Sequence, residues 1–265
     1  MTEQPRQDTA QVQAWLEAHL GGTVTSIWRQ PRWRPVWFAE LDRDGVTQSL
    51  VVRGDRTDMP LIFPLRHEMT LQAMLHERDI PTPAVHGWID EPMAYVMDRV
   101  GGQQHFDNTS DPDRASAVDD YLQILARMHA LDVEPFAAAG IMRAETPELS
   151  GVLGLRQYEA VYRSTKNGPD PFMEFCLGWL RRNPPRSKGR ESVICWDSGQ
   201  FHNAGAVTFC GLNEIRSVMG KFELIYIQLR STVRPMFVRA RQRWVSPHFD
   251  GKEYVSAVWD IVLRK

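Results

Sequence analysis

Apolar and polar positions alternate in short runs over the first hundred residues, and two longer segments there have helical spacing. The runs are bounded by Gly, Pro and Asp, which is typical of strands separated by turns. Asp42-Arg43-Asp44-Gly45 lies between two such runs and predicts a hairpin turn. The elements predicted for this part are a helix over residues 10–21, strands over 24–28, 36–41 and 49–53, a helix over 65–78, and strands over 85–89 and 94–100.

Beyond residue 100 the pattern becomes mainly helical. Gly101-Gly102 opens a polar stretch that ends near Pro112 and predicts a boundary between two parts of the chain. Five apolar positions of the next helix share one face that we expect to pack inward, namely Val118, Tyr121, Leu122, Leu125 and Met128. The elements predicted here are helices over 115–131, 154–165 and 171–182, a strand over 192–195, a hairpin of 206–209 with 210–215, and helices over 224–244 and 254–263.

A mostly β segment followed by a mostly α segment is the element order of the α+β class. We therefore predict two lobes that are joined by a short crossing segment. The first is a β-rich lobe over residues 1–100, and the second is a helical lobe over residues 101–265.

Composition and charge reduce the number of function classes that the chain could belong to. The 265 residues are 43% hydrophobic, which is enough to fill a sizeable core. The formal net charge of −2 gives no overall basic field of the kind that nucleic acid requires. No apolar run is long enough to span a bilayer, and no charged-then-apolar signal segment begins at Met1, so we expect a cytoplasmic protein with no membrane contact.

The cysteines Cys176, Cys195 and Cys210 lack the spacing of metal ligands, and each lies in an apolar run. Cysteine in such a run is usually a small core residue, which fits a reduced compartment. We therefore do not expect Cys195 to act as a nucleophile, since burial raises the pKa of a thiol.

One acidic residue stands out because of its position. Asp197 follows the predicted strand over 192–195 and precedes Ser-Gly. A strand that delivers a carboxylate into a loop commonly places a general base at a cleft. Asp-Ser-Gly also fits a loop aspartate that bonds only its own backbone.

Further short motifs are spaced along the chain. They are Leu50-Val51-Val52-Arg53-Gly54, Arg66-His67-Glu68, Ile80-Pro81-Thr82-Pro83, the segment from Tyr95 to Gly102, the segment from Leu125 to Asp132, and Cys195-Trp196-Asp197. In this order they resemble the aminoglycoside phosphotransferase-like family of small-molecule kinases, in which His-Gly-Asp takes the place of Cys-Trp-Asp. The resemblance spans about residues 21–235. It implies a protein-kinase-like bilobal fold with a nucleotide held between the lobes.

The resemblance also implies roles for individual residues. Arg53 would bind the α- and β-phosphates of ATP or GTP, and Glu68 would hold Arg53 in place. The family usually has lysine here, whereas this chain has no lysine before Lys166; arginine keeps the charge with a different geometry. Asp98 and Val100 lie in the segment that resembles the hinge strand, and we expect them to contact the nucleotide. Asp197 would accept the proton of the acceptor hydroxyl.

The loop between the first two strands differs from the family pattern. Family members tend to have glycine there, whereas this loop has none and contains Arg29, Arg32 and Arg34. These arginines could bind phosphate through their side chains. The loop could also form a rigid aromatic and basic surface for another ligand, or a solvated turn.

Mg²⁺ binding depends on how the last third of the chain is aligned. One alignment puts Asn213 and Glu214 at the family's Asp-Trp/Phe-Glu metal motif, and asparagine binds Mg²⁺ more weakly than aspartate. A second alignment puts Phe222-Glu223-Leu224 there and leaves Lys221 in the metal position. His202 falls at the family's metal-binding asparagine, with Asn203 one residue later.

These observations leave competing hypotheses. The leading one is an ATP- or GTP-dependent phosphotransferase with Mg²⁺ as cofactor, acting on a hydroxyl of a small molecule. The alternative is a catalytically impaired relative that serves as a nucleotide- or partner-binding module. A third is a damaged gene product whose sequence after His202 has drifted from the family.

Overall fold

A computed structural model of the protein describes residues 3–30, 34–56, 63–102, 110–146, 149, 153–183, 191–194, 201–203 and 207–209, the last two segments by their backbone. The chain divides into two compact units. The first comprises Met1–Pro169 with Asn183–Asn213, and the described part of the second is Asp170–Arg182. The lobe boundary after residue 100 therefore stays a prediction.

The first unit contains a five-stranded sheet with strand order β1-β2-β3-β5-β4. Every neighbouring pair is antiparallel. The strands are β1 (Thr23–Arg29), β2 (Val36–Arg43), β3 (Val46–Gly54), β4 (Val85–Ile89) and β5 (Ala94–Asp98). Each of the five was predicted from the sequence, and β5 ends two residues earlier than predicted.

The turn between β2 and β3 is the tight turn that the sequence predicts. Arg43 pairs with Val46, which leaves a two-residue loop of Asp44 and Gly45. Their φ angles are 54° and 82°, as a type I′ turn requires. The side chain of Asp42 accepts a hydrogen bond from the Gly45 amide at 3.3 Å.

The helices are α1 (Glu3–Leu20), α2 (Leu65–His76), α3 (Asp111–His129), α4 (Glu134–Ala138), α5 (Leu155–Thr165) and α6 (Pro171–Arg182). Strands followed by helices confirm the α+β class. The predicted start of the first helix at residue 10 is wrong, because α1 begins at Glu3. Thr9 shows why: its hydroxyl accepts a hydrogen bond from Trp37 Nε1 at 2.9 Å, so a distant strand anchors this polar turn.

The sheet has two faces with different contents. The α1 face packs against Val12 and Leu16 of α1 and carries buried apolar side chains, among them Trp37, Leu50, Val52 and Val96. The α2 face carries the side chains that alternate with these, namely Val51, Arg53, Tyr95 and Met97. Tyr95 and Met97 of this face pack with Leu65 of α2. A side chain's register in a strand therefore decides which helix it meets.

A second apolar cluster joins α2 to α3. Leu71 and Leu75 of α2 pack with Ile124 and Met128 of α3. The prediction that Val118 and Leu122 point inward is wrong, since these side chains are 48% and 56% exposed. The apolar pattern of α3 is wide enough to fit two rotations of the helix, and packing selects the one that buries Ile124.

Ser110 sets the start of α3. Its side chain accepts a hydrogen bond from the Asp113 amide, and Pro112 lies in the first turn. This is a common way to begin a helix. The helix accordingly begins before the predicted residue 115.

The segment that precedes Asp197 does not form the strand predicted for it. Residues 191–194 are not in a strand, so the strand prediction over 192–195 is wrong for its described part. Instead, Val193 packs in the cluster of α2 and α3. The predicted strand over 206–209 is confirmed as β7 (Val207–Phe209), but its partner is β6 (Phe201–Asn203), which was not predicted.

Some predictions fall outside the described residues. These are the strand over 210–215 and the helices over 224–244 and 254–263. In the part of the chain that the structure describes, no helix combines the length and apolar character needed to cross a membrane.

Candidate functional site

The predicted pair of Arg53 and Glu68 meets on the α2 face of the sheet. Glu68 lies in the first turn of α2, and its Oε1 forms an ion pair with Nε of Arg53 from β3. The side chains are 3% and 11% exposed, respectively. An ion pair buried this deeply is screened far less than a surface pair, so the charges of both residues act strongly on their surroundings.

A second guanidinium reaches the same carboxylate. Nη1 of Arg34 lies 3.5 Å from Oε2 of Glu68, and the Arg34 side chain is also buried. Backbone contacts explain this position: Val36 pairs with Arg53 in the sheet, and the Gly54 amide donates to the Pro35 carbonyl at 2.8 Å. The sequence offered Arg34 only as one of three loop arginines.

A phenol completes the surroundings of Glu68. Tyr95 Oη lies 3.2 Å from Glu68 Oε1 and 3.2 Å from Gln72 Oε1. Tyr95 stands opposite Arg53 in the sheet, which brings both side chains to α2. Burial, and then the charge of Glu68, raise the pKa of Tyr95 well above its usual value. The phenol therefore remains a neutral hydrogen-bond donor at physiological pH.

Gln72 ties this group to the segment after α2. Its Nε2 donates to the Pro83 carbonyl at 3.0 Å, and its Oε1 faces Tyr95. The hydroxyl of Thr82 contacts the Gln72 carbonyl at 3.3 Å. The Ile80-Pro81-Thr82-Pro83 motif thus serves to hold α2 in position against β5.

His67, next to Glu68, links α2 to the segment after α4. Its Nε2 accepts a hydrogen bond from the Met142 amide at 3.1 Å, and its ring stacks on Phe63 with centroids 4.7 Å apart. Burial lowers the pKa of His67, and the charge of Glu68 opposes this effect. A neutral imidazole is required, because a protonated ring nitrogen has no lone pair to accept the amide hydrogen.

The predicted hinge residues lie apart from this pair. Asp98 alternates with Met97 and so projects from the α1 face, where Oδ1 accepts from His86 Nε2 at 2.6 Å and from Gln48 Nε2 at 3.1 Å. The Asp98 side chain therefore does not join Arg53 and Glu68. Val100 follows β5 and is half-buried. Their contact with a nucleotide stays a prediction.

Aromatic side chains lie on the α2 face near the end of β5. The rings of Trp28 and Phe38 stack with centroids 4.6 Å apart, and the Arg99 guanidinium lies 5.4 Å from the Phe38 ring centroid. Arg99 also pairs with Glu40 at 3.1 Å. The sequence reasoning missed this group, although alternation along β2 places Phe38 on the same face as Val51.

The sequence placed Arg29 in the loop with Arg34, but Arg29 is the last residue of β1. The Arg29 guanidinium lies 5.7 Å from the ring centroid of Trp37, a side chain of the α1 face. Arg29 and Arg34 therefore contact opposite faces of the sheet. Arg32 lies outside the described residues.

The remaining predicted site residues are not among the side chains that the structure describes. Asp197, Asn213 and Glu214 lie outside the described residues, and His202 is described only by its backbone, which pairs with Thr208 between β6 and β7. Among the residues that the structure describes, no group of three or more His, Cys, Asp or Glu side chains could hold a metal ion. The Mg²⁺ ligands therefore stay a prediction.

The family model "Phosphotransferase enzyme family" matches residues 32–197, and it confirms the resemblance and with it the protein-kinase-like fold. No curated protein matches the chain.

Several solved structures are similar to the chain. One is a spectinomycin phosphotransferase in complex with ADP and spectinomycin, with 10% identity, a TM-score of 0.45, and coverage of 77% of this chain and 68% of that one. Another is a thermostable mutant of an aminoglycoside phosphotransferase in a ternary complex with ADP and hygromycin B, with 13% identity, a TM-score of 0.49, and coverage of 84% and 82%. A third is a Plasmodium vivax ethanolamine kinase, with 10% identity, a TM-score of 0.47, and coverage of 76% and 60%.

Proposed function

The chain belongs to the phosphotransferase enzyme family, and from this premise we propose that it transfers the γ-phosphate of ATP or GTP to a hydroxyl group of a small molecule. The observation that carries the proposal is the buried ion pair between Arg53 of β3 and Glu68 of α2. Kinase-like folds use a basic strand residue held by a helix glutamate to bind nucleotide phosphates.

In the proposed reaction Arg53 binds the phosphates. Its guanidinium is always protonated and presents several N–H donors that fit phosphate oxygens. Glu68 fixes the position of Arg53, while Tyr95 and Arg34 fix Glu68. The side chain that meets the nucleotide is therefore already oriented before binding, which reduces the entropy lost in the complex.

Asp197 is the proposed general base. The acceptor oxygen attacks the γ-phosphorus while its proton passes to the Asp197 carboxylate. The bond between the γ-phosphorus and its bridging oxygen breaks, and ADP or GDP leaves. Bound Mg²⁺ would neutralise phosphate charge, with Asn213, Glu214 and His202 as its proposed ligands. The proposed location is the cytoplasm, in keeping with the free thiol of buried Cys176.

A non-catalytic nucleotide-binding module is the second candidate. Cys195-Trp196 in place of His-Gly, and Asn213 in place of an aspartate, favour it. This alternative keeps phosphate binding by Arg53 and removes the transfer step.

Two measurements separate these functions. A thermal-shift titration with ATP and GTP, with and without Mg²⁺, detects binding, since a ligand of the native state raises the melting temperature. Incubation of MgATP with a pool of amino sugars and amino alcohols, followed by ³¹P NMR, detects a new phosphomonoester. We expect both signals from the native protein, and we expect D197N to lose only the second. Binding without any Mg²⁺ dependence or product would favour the non-catalytic module, and no shift at millimolar nucleotide would reject both.

A further inference from the structure

Arg34 has a contact that the family pattern does not explain. We propose that Arg34 is a positioning residue for phosphate binding, which keeps the Glu68 carboxylate paired while Arg53 contacts the phosphates. This inference rests on the function proposed above, because it concerns the same phosphate-binding side chain.

The two oxygens of Glu68 meet different partners. Oε1 contacts Nε of Arg53 and the Tyr95 hydroxyl. Oε2 lies 3.5 Å from Nη1 of Arg34. Each oxygen of this carboxylate therefore faces its own guanidinium.

Because Glu68 is buried, it matters that each of its oxygens faces a different arginine. The side chain is 3% exposed, and a carboxylate removed from water remains charged only when cations or hydrogen-bond donors compensate for its lost hydration. A phosphate and a carboxylate compete for the same guanidinium, because both accept its N–H groups in the same fork geometry. When a bound phosphate attracts the Arg53 guanidinium, the interaction of Arg53 with Oε1 weakens. The positive charge of Arg34 near Oε2 then still compensates the negative charge of the buried Glu68 carboxylate.

The position of Arg34 also fits this role. It precedes Pro35, whose carbonyl is held by the Gly54 amide at the end of β3, one residue beyond Arg53. Arg34 is thus tied to the strand that carries the residue it supports. Arg29, the last residue of β1, packs on Trp37 on the α1 face and offers a control arginine from the same part of the chain.

Calorimetric titration with ATP and with AMP tests this role on the full-length chain. The variants are R34M, R29M, R53M and the double variant R34M/R53M. We expect R34M to weaken ATP binding at least about tenfold and AMP binding less, since AMP retains only one of the two phosphates, α and β, that Arg53 is proposed to contact. R29M should bind both nucleotides like the native protein.

The double variant distinguishes positioning from direct contact. If Arg34 acts through Arg53, R34M should change ATP affinity less than about twofold in the R53M background. The free-energy effects of substitutions at interacting residues do not add, because R53M has already removed the contact that Arg34 supports. An equal loss in both backgrounds would show an independent phosphate contact and overturn the positioning role. Native-like affinity in R34M would also overturn it.

Two further results keep the test decisive. R34Q retains a hydrogen-bond donor without the charge, and it should reproduce the ATP-specific loss if R34M does not fold. Failure of the native protein to bind either nucleotide would reject the proposed function itself. Binding by the native protein with unchanged phosphate preference in R34M and R34Q would reject only the role of Arg34.

Discussion

Arg53 from β3 and Glu68 from α2 form a buried ion pair, and the second oxygen of Glu68 faces Arg34. The pair joins α2 to the sheet, and the proposed function assigns phosphate binding to Arg53 of this pair. Because Glu68 also accepts a hydrogen bond from the Tyr95 hydroxyl, its carboxylate joins α2 to β3, to β5 and to the connection between β1 and β2. Stability and phosphate binding should therefore respond together to changes at Glu68.

Loss of the Glu68 charge should destabilise the fold. E68Q leaves the guanidinium groups of Arg34 and Arg53 without their buried carboxylate, which should cost about 3–5 kcal/mol of unfolding free energy. Urea denaturation measures this change. D90N is the matched control, because Asp90 pairs with Arg66 of the same helix at an exposed position. The control should change stability little, and equal losses in the two variants would contradict the importance of burial.

The Tyr95 hydroxyl should contribute through Glu68 and Gln72. Y95F keeps the ring in the core and removes one donor, so we expect a loss of about 1–2 kcal/mol in unfolding free energy. ATP binding should weaken only slightly, since Arg34 and Arg53 still hold Glu68. Denaturation and titration of the same preparation check both statements. A Y95F protein as stable as the native one would show that these hydrogen bonds contribute nothing.

His67 should make the fold sensitive to acid. Its pKa in the folded protein is lowered from the usual 6.5, so the unfolded chain takes up this proton first as the pH falls. The stabilising contribution is complete above pH 6.5 and is lost as the pH falls below it toward the lowered folded value. H67Q, which keeps a side-chain acceptor for the Met142 amide but does not titrate, should lose less.

The measurement is the melting temperature of both proteins between pH 8 and pH 5. The native protein should show the steeper fall below pH 6.5. Parallel curves for the native protein and H67Q would mean that the hydrogen bond from Met142 does not depend on protonation at this position.

Local sequence signals predicted much of the fold. The Asp44-Gly45 turn needs only its own residues, and alternation located all five strands of the sheet. The Arg53–Glu68 pair was also predicted, because the motifs that carry both residues resemble a family in which that pairing recurs. This pairing was thus predicted from resemblance and the strands from periodicity.

The remaining features depend on contacts between distant segments. Arg34 turns toward Glu68 because Pro35 is held by Gly54, and no local pattern distinguishes it from Arg29. The sequence pattern does not distinguish Tyr95 from the apolar residues of its strand, because only the packing of α2 brings Glu68 to the Tyr95 hydroxyl. Leu122 was placed in the core because helical spacing does not reveal which side of a wide apolar face is covered.

The central claim is that Arg53 binds nucleotide phosphates, and the dissociation constant of ATP measures this most directly. In Mg²⁺-containing buffer, R53M should weaken binding at least about tenfold relative to the native protein, the scale expected when a charged hydrogen-bonding group is removed. R29M should bind like the native protein. Equal ATP affinity in the native protein and R53M, or no binding by the native protein, would contradict the account.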